Sequence, residues 1–486
     1  MNRDITPEPD HGRFVVYASR YAHLDSNVIS GGGTDDTDIL QAILNKAPVW
    51  GGLHLIMDGA ALIRGLEIHS NTTIECQNKD CGFFLMSGMN RSIVQNAHLD
   101  FDTIHDKNIT LLGGTYNHNG AGHEHHVPMD PDDKGAFPVK YPMGMEFYGV
   151  EYLTMKDLTV RNQKLYAMHI INWFRVTMEN ITIELPDIMY AQNQDGIHFM
   201  GPGQFLSMKN IMGSAGDDFI ALTPDERDSV SNITDVTIDG VFLNDADQGI
   251  RLLSRGTGTL DRVVIRNVMG TFKSCGFFCN AWYEGSGGNF GSITFENIDL
   301  RQANHKYAEY VNPFLFRIGG NFKSLTLRNI HHQDAGDPLT YALVEVGIPF
   351  GGDTDGAKGQ SFCVDNLTID GLEVSESVDH ATESPYVQVF GKVGNLVIRD
   401  VQVNRESGTP AGSCLLGTRE HAEIGTIHIS GATVDGLETL VKHDAGTIGT
   451  LCLNDILCAN MTDSLVTGDA EIAHLYSNGV HGSNVR

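Results

Sequence analysis

The sequence predicts an all-β protein, a right-handed parallel β-helix with a short N-terminal capping helix. Three observations carry this expectation. A six-residue unit of the form apolar-x-apolar-x-Asn/Asp/Gly-apolar recurs along most of the chain, and no helical periodicity accompanies it. At 486 residues the chain also exceeds the size at which one hydrophobic core keeps growing. A solenoid escapes that limit, because each coil touches only its neighbours. No shift in composition marks a second domain, so residues 1–486 are read as one β-helix domain.

The cap comes first. Between Asp36 and Ala47, Ile39, Leu40, Ile43 and Leu44 fall at helical spacing, and Thr34 or Asp35 stands where a side chain caps a helix start. An amphipathic helix within residues 30–47 therefore closes the first coil. Residues 114–145, rich in Gly, His, Asp and Pro, read as a long loop emerging on the cleft side of the coil stack.

Regular coils are expected over about residues 150–480. The units start at Leu153, Val176, Leu206, Val236, Val263, Ile293, Leu325, Leu367 and Leu396, with fainter copies at Ile427 and Leu451. Spacings run from 23 residues (Leu153 to Val176) to 42 (Leu325 to Leu367). Alternation at period two argues for a strand with one buried face, and the following Asn or Gly supplies a turn. Stacked units of this length make a solenoid. A leucine-rich horseshoe needs a shorter period and a helix-like half that is absent here. The Ile, Leu, Val and Met of these strands are core ladders without a part in chemistry.

Composition narrows the partners. Sixty-one acidic against thirty-three basic side chains give a formal charge of −28, which disfavours nucleic acid, anionic membranes and a highly charged polyuronate. Nowhere do about eighteen apolar residues run together, and the first ten residues lack the apolar core of a signal peptide. The expectation is a soluble cytoplasmic protein, or a secreted one whose leader has been removed. Eight cysteines are scattered; only Cys76/Cys81 and Cys275/Cys279 are close pairs, and neither has partners at zinc-site spacing. Buried thiols are expected rather than disulfides, and no cofactor is expected.

Two strings carry the chemistry: Asn193-Gln194-Asp195-Gly196-Ile197-His198 and Gly216-Asp217-Asp218-Phe219-Ile220-Ala221-Leu222. Asp217 and Asp218 follow Asp195 by 22 and 23 residues, close to one coil, so the three carboxylates should lie on adjacent rungs about 4.8 Å apart. Gln248-Gly249-Ile250-Arg251 follows one coil further on, and Arg251 is expected beside them. Clustered carboxylates raise the pKa of at least one member, as a general acid requires, while a guanidinium holds another ionised or grips substrate. A polar ladder satisfying turn amides is the structural alternative for Asp195.

On these motifs the chain resembles glycoside hydrolase family 28, the polygalacturonase family, whose pattern is Asn-Thr-Asp-Gly, Gly/Gln-Asp-Asp, Gly-His-Gly and Arg-Ile-Lys on a pectin-lyase-like right-handed solenoid. Asn193-Gln194-Asp195-Gly196 matches the first with one change, Gly216-Asp217-Asp218 matches the second, and Gly249-Ile250-Arg251 matches the lead-in and arginine of the fourth. Tyr283, beside Trp282, falls where the family carries a substrate-contacting tyrosine, and Gly33-Thr34-Asp35-Asp36-Thr37 resembles the family's opening. The resemblance implies an inverting glycosidase in which Asp217 protonates the leaving oxygen while Asp195 and Asp218 activate water. It also implies substrate contacts from Asn193, Arg251 and Tyr283, and a place for His198 lining the same cleft, a hydrogen-bonded surface histidine being the alternative. Trp282 reads equally as an aromatic face that stacks a sugar ring or as ordinary packing. Two departures loosen galacturonate specificity: Gly-His-Gly is missing between Asp218 and Arg251, and Leu253 replaces the lysine of Arg-Ile-Lys. Asp225, Glu226 and Arg255 are candidate replacements.

The run Asn117–His126, followed by Asp130, Asp132 and Asp133, admits three readings: a metal site, a substrate-binding wall or a neutral loop. It lacks the helical His-Glu-x-x-His spacing, and no metal is assigned. Three function classes stay open for the chain. A carbohydrate-cleaving hydrolase leads. A polysaccharide lyase or epimerase on the same coil needs basic residues facing a uronate, and a catalytically silent glycan-binding β-helix predicts that Asp217→Asn changes nothing.

Overall fold

In the computed structural model of the chain, residues 4–8, 14–124, 143–186, 193–226, 230–281, 287–303, 314–333, 342–347, 362–377, 384–406 and 414–482 are described. Internal contacts divide it into two compact units, residues 1–238 and 239–486.

In the first unit, strand pairs with strand in parallel, coil upon coil. Met145–Lys156, Met168–Glu184 and Ile197–Gly213 stack so that Leu153, Val176 and Leu206 share one position, and Met155, Met178 and Met208 another. The unit starts read from the sequence are thus true register partners. Their side chains point inward and are at most 2% exposed. A buried Leu, Val or Met stabilises the fold by about 1.5–3 kcal/mol relative to an exposed one, so the ladders supply the cohesion between neighbouring rungs. The stack also begins earlier than the repeat pattern indicated. Leu53–Met57 pairs with Thr72–Cys76, which pairs with Asp106–Leu112, whose Ile109 lies under Leu153.

The helix forms over Thr37–Leu44, shorter than Asp36–Ala47, and a separate turn of helix follows at Ala47–Trp50. Leu40, Ile43 and Leu44 are fully buried. Asp35 holds the first turn through the Thr37 N–H at 3.0 Å, while buried Asp36 takes the N–H groups of His23 and Leu24, both at 2.9 Å. The stretch expected as a loop from residue 114 opens with a strand, Thr115–Asn117, and a short 3-10 turn, Gly120–Gly122. Residues 125–142, with His125, His126, Asp130, Asp132 and Asp133, lie outside the described residues.

The second unit repeats the plan. Val263, Ile293, Leu325, Leu367, Leu396, Ile427 and Leu451 are partners in sequence, and one further rung brings in Leu475. Phe290 and Phe322 stack at 4.3 Å within it.

The fifth residue of each hexamer explains the Asn/Asp/Gly preference. Asp157, Asn180, Asn210, Asn267, Asn297 and Asn329 all adopt left-handed backbone, φ between 51° and 58°, a conformation that Gly, Asn and Asp enter at low cost. Their side chains then form ladders: Asn210 donates to Asn180 at 3.0 Å and Asn180 to Asp157 at 2.7 Å; Asn329 donates to Asn297 and Asn297 to Asn267, both at 2.9 Å. The eight cysteines are free thiols; Cys76, Cys81, Cys275, Cys279, Cys414 and Cys458 are buried, as expected, whereas Cys363 and Cys452 are half-buried.

Candidate active site

The two carboxylate motifs meet in the first unit. Ile197 pairs with Ile220, so Asp195, just before its strand, and Asp218, which opens the next, stand two residues earlier at equivalent positions on successive rungs. The Gly196 N–H donates to the Asp218 carbonyl at 2.9 Å. Gly196 is a glycine because of this approach: a Cβ there would stand 2.3 Å from the Phe219 carbonyl oxygen. Asp217, half-buried, accepts the Asn193 N–H on Oδ2 at 2.8 Å, whereas Asp195 and Asp218 are buried. Asn193 therefore acts through its backbone on the neighbouring coil.

His198 organises the cluster. Its Nδ1 lies 2.7 Å from Asp195 Oδ2, and its Nε2 lies 3.0 Å from Glu226 Oε2 and 3.1 Å from Thr223 Oγ1. Burial alone would depress this imidazole, but the Glu226 and Asp195 carboxylates outweigh it and raise the pKa from 6.5 to about 10. With both nitrogens protonated, the ring donates to a carboxylate on each side. His198, read as lining the cleft, is only 4% exposed. It holds protein groups, and Tyr166 stacks flat against it at 4.6 Å and 11°. Burial first, then the charges of Asp195, Glu226, Asp217 and Asp218, push Tyr166 well above the ordinary tyrosine value, so it is a neutral phenol facing four carboxylates.

A polar ladder continues from His198 along the coils. Glu146, His169 and His198 are register partners on three rungs. The Tyr148 hydroxyl donates to Glu146 at 2.7 Å and lies 2.8 Å from His169 Nδ1, which puts the proton of that second contact on the imidazole. Burial raises Glu146 from 4.5 to about 7, against the opposing hydrogen bonds from Tyr148 and Ser92. His169 meets Tyr166 edge-on at 5.2 Å. Gln163 and Gln194 complete the floor: Gln194 donates to the Gln163 carbonyl at 3.0 Å, and Gln163 to the Asp195 carbonyl at 3.3 Å.

Tyr166 and His169 were missed by sequence reasoning, yet a signal existed. Glu146 and His169 each stand seven residues before a unit start, and His198 stands eight before Leu206. The extra residue is taken up by a register shift between Ile171 and Trp173. Of the candidate replacements, Glu226 reaches His198, and Asp225 is fully buried.

Arg251 belongs to the second unit. It is buried, its guanidinium lies over the Phe278 ring at 4.0 Å, and Nη1 donates to Gln248 at 3.3 Å. Trp282 and Tyr283 lie outside the described residues.

Among the described residues no group of three His, Cys, Asp or Glu side chains is arranged to hold a metal. His118 and His123, from the loop with three readings, are committed to backbone: His118 accepts the Lys164 N–H at 3.1 Å and donates to the Arg91 carbonyl at 3.2 Å, and His123 donates to the His118 carbonyl at 2.8 Å. Burial drives His118 down to about 3, so it is neutral.

Residues 88–308 match the model of glycosyl hydrolases family 28, a span of less than half the chain that contains Glu146, Asp195, Asp217, Asp218 and Glu226. Polygalacturonases of Gossypium barbadense and Gossypium hirsutum are each 26% identical to this chain over 172 residues, 35% of this chain and 40% of theirs. The chain thus spans well under half the length of the curated relatives it matches. Among solved structures, a hyperthermoactive exopolygalacturonase from Thermotoga maritima superposes with a TM-score of 0.54 at 15% identity, covering 81% of this chain and 93% of that one. This likeness shows the fold, a right-handed parallel β-helix. A family 28 exopolygalacturonase from Yersinia enterocolitica aligns over 95% of this chain and 78% of its own, at 13% identity and a TM-score of 0.45.

Proposed function

We propose that the protein is a glycoside hydrolase acting on a pectin-type poly- or oligosaccharide by a single displacement with inversion. One observation carries the reading: Asp195, Asp217, Asp218 and Glu226 converge on a buried Tyr166 and His198, within a span that matches a glycosidase family. In the proposed reaction, half-buried Asp217 gives its proton to the leaving glycosidic oxygen as the bond from that oxygen to the anomeric carbon breaks. A water attacks the carbon from the opposite face, and the Asp195/Asp218 pair takes up the proton it loses. His198, as imidazolium between Asp195 and Glu226, keeps Asp195 ionised and oriented. This is the supporting part that the absent Gly-His-Gly histidine leaves open. Arg251, Trp282 and Tyr283 stay in the proposal as substrate-binding residues on their sequence motif alone.

The deciding experiment presents purified protein with pectic, rhamnogalacturonan and neutral glycans and their oligomers. New reducing ends and ultraviolet absorbance are read together, with Asp217→Asn as control. Reducing ends without absorbance, lost in the variant, support hydrolysis and identify the substrate. An absorbing, unsaturated product makes the protein a lyase, and silence on every glycan returns it to the glycan-binding class.

A further inference from the structure

Besides the turn filled by Asp157, Asn180 and Asn210, the same three coils make a second left-handed turn five residues earlier. There the occupants are Tyr152, Arg175 and Phe205, with φ of 58°, 58° and 63°. Such backbone is costly for bulky side chains and persists where something else requires them. The register partners Glu151, Phe174 and Gln204 put these residues one above another on successive rungs. Tyr152 and Phe205 are 45% and 39% exposed. The rings form a continuous group, Tyr152 to Phe174 at 6.3 Å and Phe174 to Phe205 at 5.5 Å. Arg175 lies among them, its guanidinium 5.9, 5.3 and 4.8 Å from the Tyr152, Phe174 and Phe205 centroids.

The charge of Arg175 is the second observation. In a chain of net charge −28, Arg20, Arg64, Arg161, Arg266, Arg328 and Arg399 each hold a carboxylate. Arg175, which is exposed, has no carboxylate partner among the described residues. Exposed aromatic faces suit the apolar faces of sugar rings, and an uncompensated guanidinium suits a carboxylate.

We propose that Tyr152, Phe174, Phe205 and Arg175 form a surface subsite, separate from the carboxylate cluster, that binds an acidic, uronate-bearing glycan chain. The inference rests on the carbohydrate reading above and deepens it, because an accessory subsite keeps a polymer on an enzyme whose overall charge repels it.

The test is native affinity electrophoresis in gels cast with polygalacturonate or with a neutral galactan, using Asp217→Asn protein so that the polymer is not consumed. Phe205→Asn and Arg175→Asn are the variants, since asparagine suits the left-handed backbone and removes only the ring or the charge. Polygalacturonate should retard the parent protein, and each variant should bind roughly five- to tenfold more weakly, the scale of one aromatic or charged contact. In an Asp217 background, the same substitutions should leave the turnover of short uronate oligomers unchanged. Equal retardation of parent and variants, or no retardation of the parent, overturns the subsite. So does a change of elution volume on gel filtration in the variants, which would assign the patch to contact between copies. Retardation by galactan equal to that by polygalacturonate overturns the role given to Arg175. If Asp217→Asn leaves turnover intact, the catalytic assignment fails while the gels still decide the subsite.

Discussion

At the scale of single residues, the proposed reaction makes His198 a link between stability and turnover. Its pKa is raised, so the stability it contributes is complete below about 6.5 and is lost as pH rises through about 10. Glu146 acts in the same direction at lower pH: raised from 4.5 to about 7, its protonated form favours the fold, and that contribution is lost as pH rises through 7. Thermal melts of wild type and His198→Gln between pH 6 and 10 should therefore converge as pH increases; parallel curves would mean that His198 is not charged in the fold. His198→Gln also removes the cation 2.7 Å from Asp195, so in the proposed reaction the acidic limb of the pH–rate profile should move to higher pH. Asp217→Asn should abolish turnover with the fold intact, since an amide keeps the shape and cannot donate the proton. Asp195→Asn and Asp218→Asn should each cost about 10²–10⁴-fold in kcat. Circular dichroism alongside the rates separates lost chemistry from lost structure, and a fully active Asp217→Asn would remove that residue from the acid role. The pairing of Asp195 with the Asp217/Asp218 rung was legible because 22 or 23 residues is nearly one coil. The imidazolium was not, because nothing in the order of residues says that the chain beyond Thr223 turns Glu226 back onto His198.

At the scale of elements, the turn ladders test how far the repeat, rather than the individual coil, stabilises the structure. Asn297 donates to Asn267 and accepts from Asn329 at 2.9 Å each, with φ of 57°. Asn297→Ala loses both hydrogen bonds and strains the backbone, so a loss of about 2 kcal/mol in urea-induced unfolding is expected. Asn297→Gly should recover roughly half of that, because glycine relieves the backbone term alone. Equal losses would mean that the left-handed conformation contributes nothing. The units from Leu153 to Leu451 were readable because strand alternation and the left-handed turn both leave a residue-type signature. Earlier strands such as Leu53–Met57 and Thr72–Cys76 escaped notice because they lack the closing Asn or Gly at constant spacing, although they pair in the same parallel fashion. The cap helix was foreseen from its apolar face, but its end was not. The Asn45 N–H donates to the Gln41 carbonyl at 2.9 Å as the helix ends, and Pro48 stands in the first turn of a separate one, so the spacing of Ile39, Leu40, Ile43 and Leu44 did not carry the helix to Ala47.

At the scale of the whole molecule, a charge of −28 sets how any acidic polymer arrives. Repulsion between like charges acts over about 30 Å at 10 mM salt and about 8 Å at 150 mM. With an acidic pectic polymer as substrate, kcat/KM should therefore rise several-fold as salt is added across that range, while kcat/KM on a neutral oligosaccharide stays flat. Local cations work against this trend. Arg175 on the first unit attracts the same carboxylates that the net charge repels, and screening weakens that attraction too. The two contributions differ in reach: the net field is felt far from the surface, whereas one guanidinium acts at contact, where salt screens it least. Arg175→Asn should accordingly lower kcat/KM on the polymer at every ionic strength and leave the rising slope in place. A polymer rate that instead falls with salt would mean that local positive charge governs encounter, and the acidity of the chain would then have no bearing on its choice of substrate.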